Sequence, residues 1–312
     1  MADSRQVSLP STKAPAARVW HTRRRSLQRA FVPFAFLAPF LILFAFFLIT
    51  PLVYAFRMAL YNERIIGGTV FVGLSNLEQA VQDSSFYTGL EHMALLGVVQ
   101  IPIMIGLALL FALLLDARAV WMPSLFRLAF FLPFAVPTVV AALMWGDLYA
   151  PSFGPLSQIS RDIGLGTPGF LTAGGMLASL GNIVTWEWTG YNMIILYAAL
   201  KTIPSEIVEA AAVDGATPLQ TALRIRIPFI APALILTVVF SIIGTLQLFN
   251  EPQIMSVIAP QVIGTSYTPN VYEYNLAFSS HEFNYAAAVS FVLGAVVFLA
   301  SYTFMLLTRK QR

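Results

Sequence analysis

Apolar residues along this chain gather into six long blocks, and polar residues are confined to the segments between them. The blocks run over residues 31–56, 93–115, 128–150, 176–200, 230–258 and 284–307. About 20 residues of helix cross a bilayer core, so each block predicts one spanning helix. The chain therefore reads as an all-α, polytopic membrane protein with six transmembrane helices. Blocks two and six read as clean spans. Blocks one, three and five contain prolines, which membrane helices tolerate where neighbours re-satisfy the freed carbonyls. Block four holds Glu187 and two tryptophans and is the weakest by hydropathy. Block one far exceeds the 7–15 apolar residues of a signal peptide, so it counts as a span.

The segments between blocks differ in character. Residues 1–29 form a polar and basic tail, rich in Ser, Ala and Pro over the first 22 residues, ahead of a permeating domain expected over 30–312. Gly67-Gly68 marks a turn, and "SNLEQAVQDSSFYTGL" has the spacing of a short surface helix leading into block two. Residues 151–175 read as a loop with one helical turn. Residues 259–283 read as a loop broken at Pro260, Gly264 and Pro269.

Residues 201–229 are different. "IPSEIVEAAAVDG" predicts a helix with Pro204 near its start, Glu206 and Glu209 in the early turns and Gly215 just past its end. "TPLQTALRI" predicts a second helix at once, with Thr217 as N-cap, Pro218 at the first position and Gln220 closing a capping box. Ile207, Val208 and Leu223 would hold the pair at the membrane surface. A helix, sharp turn and helix between two spans predict a docking element; parking on lipid is the plainer alternative.

Composition supports the membrane reading. The chain is 58% apolar and 11% charged, against about 25% charged in soluble domains. With both termini on the cytoplasmic side, 15 of the 18 Lys and Arg residues fall inside and only Arg57, Arg64 and Arg161 fall outside. That is the asymmetry of the positive-inside rule. The net charge of +3 thus reflects orientation, and the basic run before block one gives no cause to expect nucleic acid. Cysteine is absent, so disulfides and thiolate metal sites are excluded.

The spacing of Glu209-Ala210-Ala211, Gly215, Ile225 and Ile227-Pro228 resembles the EAA loop of binding-protein-dependent ABC importers. The usual leucine is replaced by Ile227. "FVGLSNLEQAVQDSSF", "FLPFAVPTVVAALMWGDLYAPSFGPLSQ" and "TWEWTGYNMIILYAALKTIPSEIVEAAAVDGA" are similar to the first-type permease subunit of carbohydrate importers such as the maltose and glycerol-3-phosphate systems. The likeness runs from Phe31 to the C-terminus. It departs at "VIAPQVIGTS", where a Gly-Gly turn is usual, and at His92-Met93, where Asn-Thr is usual; both lie near the outer face.

The resemblance implies a type I importer permease fold in the cell membrane of a bacterium or archaeon, whose inter-span loop is a cytoplasmic coupling helix seated in an ATPase groove. Glu209, Ala210, Ala211, Asp214, Gly215 and Pro228 would make that joint. It further implies a homologous second permease forming a heterodimer, an ATPase dimer that carries ATP and Mg, and an extracytoplasmic binding protein. The chain itself has no G-x-x-x-x-G-K-[ST], G-x-S-x-G or H-E-x-x-H, and its three histidines are dispersed, so no catalytic site, metal or cofactor of its own is expected.

Asp147, Glu187, Gln247, Asn250 and Glu251 are costly in lipid and should face a cavity or partner. Gln247, Asn250 and Glu251 fall on one face of a helix, and Trp186, Trp188, Tyr191 and Asn192 crowd block four. Amides and carboxylates bind hydroxyls, and aromatic faces bind sugar C–H surfaces, so the mixture suits a carbohydrate path. Interspan hydrogen bonding or interfacial anchoring would also use it. An ion-coupled secondary transporter could use the acids too, but would leave residues 201–229 without a task.

Overall fold

The structure, a computed structural model, describes residues 34, 36–64, 66–117 and 120–309. The tail expected over residues 1–29, its boundary, and Arg118, Lys310 and Arg312 lie outside the described residues.

Helix α1 (Phe36–Ala59) comes first. It widens into a π-helical turn over Ala45–Ile49, just ahead of Pro51. Proline cannot donate to the preceding turn, so the ladder must rearrange there. The Thr50 hydroxyl donates to the Ala45 carbonyl at 3.0 Å. Phe36, Phe46, Phe47 and Val53 along this helix are exposed.

Residues from Met58 onward form a second compact unit. It opens with a hairpin, β1 (Tyr61–Arg64) and β2 (Gly68–Phe71), pairing Tyr61 with Phe71 and Arg64 with Gly68. The fold is therefore not purely α-helical. Gly67 and Gly68, at φ +107° and +70°, make the expected turn, but strands of four residues are too short to show an alternating pattern. The Asn76 amide ties the hairpin down, donating to the carbonyls of Ala59 and Tyr61 at 3.0 and 2.8 Å.

The surface helix expected over residues 75–90 is two helices. α2 (Ser75–Gln82) ends at Asp83, whose carboxylate accepts from the Ser85 amide at 2.8 Å and caps α3 (Ser84–Asp116). The same carboxylate accepts from the hydroxyls of Tyr272 and Tyr285 at 2.6 and 2.7 Å. Partial burial opposes its charge, but these donors and the backbone amides outweigh it and hold Asp83 below the usual carboxylate range. At 33 residues α3 far exceeds block two, and Pro102 sits inside it.

Block three is not one straight span. α4 (Pro123–Ala135) and α5 (Thr138–Tyr149) meet at 95°. Val136, ahead of Pro137, is forced out of the helical region to ψ 129°, as a residue before proline must be. α6 (Pro155–Asp162) is longer than the single turn expected there. α7 (Met176–Leu200) has the same bounds as block four. α8 (Ser205–Val213) precedes α9, residues 218–229, which includes a π-helical turn at Ala222–Arg226.

Block five also breaks, into α10 (Ala231–Leu246) and α11 (Asn250–Ile258). The loop after it contains α12 (Pro269–Tyr274), continued as a π-helical turn over Asn275–Ser279. α13 (Phe283–Arg309) closes the chain. Among the described residues, four helices are long and apolar enough to cross a membrane: α1, α3, α10 with α11, and α13. The bent pair α4–α5 makes a fifth if taken as one span.

α7 is the axis of the packing. Its Val184 joins Met93, Leu96, Val289 and Leu293 in one apolar cluster. Its Met176, Leu180 and Ile183 meet Tyr149 and Met255 in a second. Its Met193, Leu196 and Leu200 meet Ala108, Ala112 and Leu115 in a third. At Gly190 it approaches α4 so closely that a Cβ would collide with the Phe130 carbonyl, so this position accepts only glycine.

Candidate functional site

The segment after α7 closes on itself through local hydrogen bonds. At the end of α8 the Ala216 amide donates to the Ala211 carbonyl at 2.9 Å and the Gly215 amide to Ala212 at 3.1 Å. This is the Schellman pattern, and Gly215 adopts the left-handed φ of +80° that it requires. Two residues later Thr217 accepts from the Gln220 amide at 3.3 Å while the Gln220 side chain accepts from the Thr217 amide at 2.8 Å. The expected capping box is present, with Pro218 at the first helical position.

Of the residues expected to form the joint, Glu209, Ala210, Asp214, Gly215 and Pro228 are exposed, and Ala211 is buried. Ile207, Val213, Leu219 and Leu223 are also exposed. Val213 and Leu219 flank the glycine turn, and the sequence reading passed over both.

The polar residues of blocks four and five meet around a cavity of about 220 Å³. Trp188, Tyr191 and Asn192 border it from α7, and Gln247, Asn250 and Glu251 from the break between α10 and α11. The expectation of a continuous helical face does not hold here, because Gln247 ends one helix and Phe249, at φ −133°, starts the next. The three side chains reach the same cavity because the chain breaks.

Carbonyls freed by such a break need donors, and the loop after α11 supplies them. Asn270 donates to the Gln247 carbonyl at 2.6 Å, and Thr268 donates to that of Leu248 at 3.1 Å. Thr268 also caps α12. Neither residue stood out in the sequence, although Thr268-Pro269 has the form of a helix start and Pro252 marks the first turn of α11.

One wall of the cavity is aromatic. Phe134 stacks on Tyr191 with centroids 4.7 Å apart and meets Trp188 edge-on at 5.2 Å. Thr138, Ser241 and Thr245 add hydroxyls to the lining; small hydroxyl residues within apolar runs gave no separate signal.

Other expected residues fall elsewhere. Trp186 packs edge-on against Trp145 at 5.8 Å and does not border the cavity. Glu187 is buried, facing Glu251 behind the cavity wall. Asn192 spends its amide on the Trp188 carbonyl at 3.1 Å and on the Met104 sulfur at 3.7 Å. Asp147 is exposed on α5. A larger recess of about 710 Å³ beside Trp145, Tyr149, Phe170 and Asn182 gathers none of the expected acids, so the smaller cavity is the better candidate.

Residues 104–310 match the family described as the binding-protein-dependent transport system inner membrane component. The chain is 33% identical over 299 residues to the lactose transport system permease protein LacF of Rhizobium radiobacter, covering 93% of this chain and 99% of that one. It is 30% identical over 275 residues to the arabinooligosaccharides transport system permease protein AraP of Bacillus subtilis, covering 86% of each. In fold it matches a chain of a bacterial ABC transporter involved in importing the acidic polysaccharide alginate, with a TM-score of 0.78 at 21% identity over 94% of this chain and 99% of that one. A second structure of the alginate transporter holds an alginate pentasaccharide-bound periplasmic protein and matches with a TM-score of 0.77. This chain belongs to the family of binding-protein-dependent transport system inner membrane components.

Proposed function

We propose that this chain is one transmembrane subunit of an ATP-driven importer and forms half of the path for a sugar or sugar derivative. The observation that carries the substrate class is the cavity at the α10–α11 break. It joins the amides of Gln247 and Asn250, the Glu251 carboxyl and the rings of Trp188 and Tyr191. Hydroxyls pair with such amides and acids, and aromatic faces cover apolar sugar surfaces. The relatives named for lactose and arabino-oligosaccharide transport support that class.

The chain crosses the membrane six times on this reading: α1, α3, α4–α5, α7, α10–α11 and α13. α7 is long enough at 25 residues, and its polar residues are tolerable because α3, α4, α5, α10 and α11 pack against it. Both termini lie on the cytoplasmic side, which places residues 201–229 there as the coupling segment. Glu209 and the exposed face of α8 enter a groove on a separate ATPase, where ATP and Mg are held, and Asp214-Gly215 shape the turn between the two short helices. A homologous second permease completes the path, and an extracytoplasmic binding protein delivers substrate. An ion-coupled transporter would leave the capped, exposed segment without a task.

The test is purification of the tagged chain from native membranes with bound chains identified by mass spectrometry. An ATPase and a second permease should accompany the wild type. The ATPase should be lost from the double variant Glu209→Ala, Gly215→Pro, since proline cannot take the positive φ at residue 215. A wild-type chain that purifies alone and moves sugar on an ion gradient would overturn the proposal.

A further inference from the structure

Asp116 is the last residue of α3, and by itself it is badly placed. The C-terminus of a helix carries partial negative charge, so a carboxylate there is disfavoured. Two cations reach it from the ends of a different segment. Lys201 Nζ lies 2.9 Å from Asp116 Oδ1, and Arg226 Nη1 lies 3.1 Å from Oδ2. Lys201 caps the C-terminus of α7, directly after Leu200, and Arg226 lies in α9. The two cations therefore bracket α8, the Gly215 turn and the start of α9, and both roots of that segment are bound to one carboxylate.

The pairs are not equivalent. The side chains of Asp116 and Arg226 are 12% and 17% exposed, whereas Lys201 is 49% exposed. A largely desolvated pair is screened little, and losing one partner leaves an uncompensated charge; a half-exposed pair contributes little. Lys201 is also steered by the Tyr197 ring, 5.1 Å from Nζ.

We propose that Asp116 is a positioning residue that clamps both roots of the 201–229 segment to the end of α3. α3 packs along α7, which borders the cavity, so a displacement of α8 reaches the cavity walls instead of being absorbed by bending at the roots. The proposal rests on reading 201–229 as the lever docked on an ATPase.

The chain has no cysteine, so a single Ser241→Cys in the cavity lining gives a clean reporter. In the purified complex, reaction of that thiol with an impermeant maleimide is timed with and without ATP, Mg²⁺ and vanadate. The clamp predicts a change of about fivefold or more in the otherwise wild-type chain, the lower end of ordinary coupling between sites. In Asp116→Asn the change should shrink below about twofold, under the ordinary range of coupling between sites, with the ATPase still bound. Asp116→Glu should keep the response. Exchanging the charges at all three positions, Asp116→Arg with Lys201→Asp and Arg226→Asp, should restore it, since both roots then pair with the end of α3 again.

A role confined to stability would lower the yield of complex without changing the response of what assembles. An undiminished response in Asp116→Asn would overturn the clamp. If that variant does not assemble, failure of the exchange to restore both assembly and response would overturn it instead. An ATPase absent from the wild-type preparation would overturn the importer reading itself.

Discussion

The segment at residues 201–229 and the cavity at residues 247–251 are built on opposite principles. In the first, every hydrogen bond that shapes the turn joins residues within five of each other: Ala216 to Ala211, Gly215 to Ala212, and Thr217 with Gln220. In the second, the carbonyls freed at the break are satisfied by Thr268 and Asn270, some 20 residues away. On the proposed reading the first is a lever, a local structure held out to a partner. The cavity is a defect in a helix that distant residues stabilise. A lever must keep its shape in water, where its own chain is the only neighbour. A binding cavity needs polar groups turned inward, and a broken helix provides them.

The comparison can be broken most severely at the helix packing both regions depend on. Replacing Gly190 with leucine forces the side chain into the Phe130 carbonyl. Overpacking of this kind costs about 3 kcal/mol or more, so the variant should lose most of its folded yield, read as a fall in Tm in detergent. A variant with wild-type Tm would mean that α4 and α7 can separate freely.

Changes within the two regions should separate lever from cavity. Gly215→Val puts a branched side chain at φ +80° at a cost of about 1–2 kcal/mol, so ATPase association should weaken roughly tenfold with no change in sugar affinity. Asn250→Ala and Gln247→Ala should do the converse. Each removes a hydrogen-bonding group worth about 1 kcal/mol, or roughly fivefold in the apparent KM for sugar, with ATPase association intact. Loss of both properties in either variant would show that the regions are not separable. Thr217→Ala removes one cap at about 1 kcal/mol and should weaken ATPase association less than Gly215→Val.

The smallest effect concerns pH at the loop between α11 and α13. Glu273 in α12 is pushed up from an ordinary value of 4.5 to about 7 by burial, which its hydrogen bond from Ser290 only partly offsets. The folded form thus binds a proton more tightly than the unfolded form. Its contribution to stability is complete below about pH 4.5 and is lost as pH rises through about 7. Glu273→Gln should flatten the fall in Tm between those limits. Asp83, held low by its tyrosines, has the opposite sign: its stabilisation is present above its ordinary value of 3.8 and disappears as pH falls. A wild-type Tm that is level from pH 4.5 to 7 would remove the case for a buried Glu273.

Much of this was legible in the residues. The bounds of α7, the cap at Thr217, the glycine at the end of α8 and the turn at Gly67-Gly68 are dictated by side chains acting on their own neighbourhood. The hairpin strands were missed because four residues give too little alternation. The boundary between α2 and α3 was missed because Asp83 caps a helix whose first turns are as polar as the one before. Six of the eight residues expected around the substrate path border one cavity, although the helical spacing used for three of them assumed a helix that is broken. Trp186 and Glu187 share block four with the others but point to different neighbours, and periodicity in a helix buried over most of its surface cannot say which.

By itself, the sequence determined the helical blocks and the local shape of residues 201–229. These depend on transfer of apolar side chains into lipid and on hydrogen bonds a few residues long. Only the tertiary structure decided where the long helices break, which polar residues share a cavity, and that Lys201 and Arg226 converge on Asp116. Those outcomes depend on groups far apart in the chain competing for the same donors and charges, and no window along the sequence contains both partners.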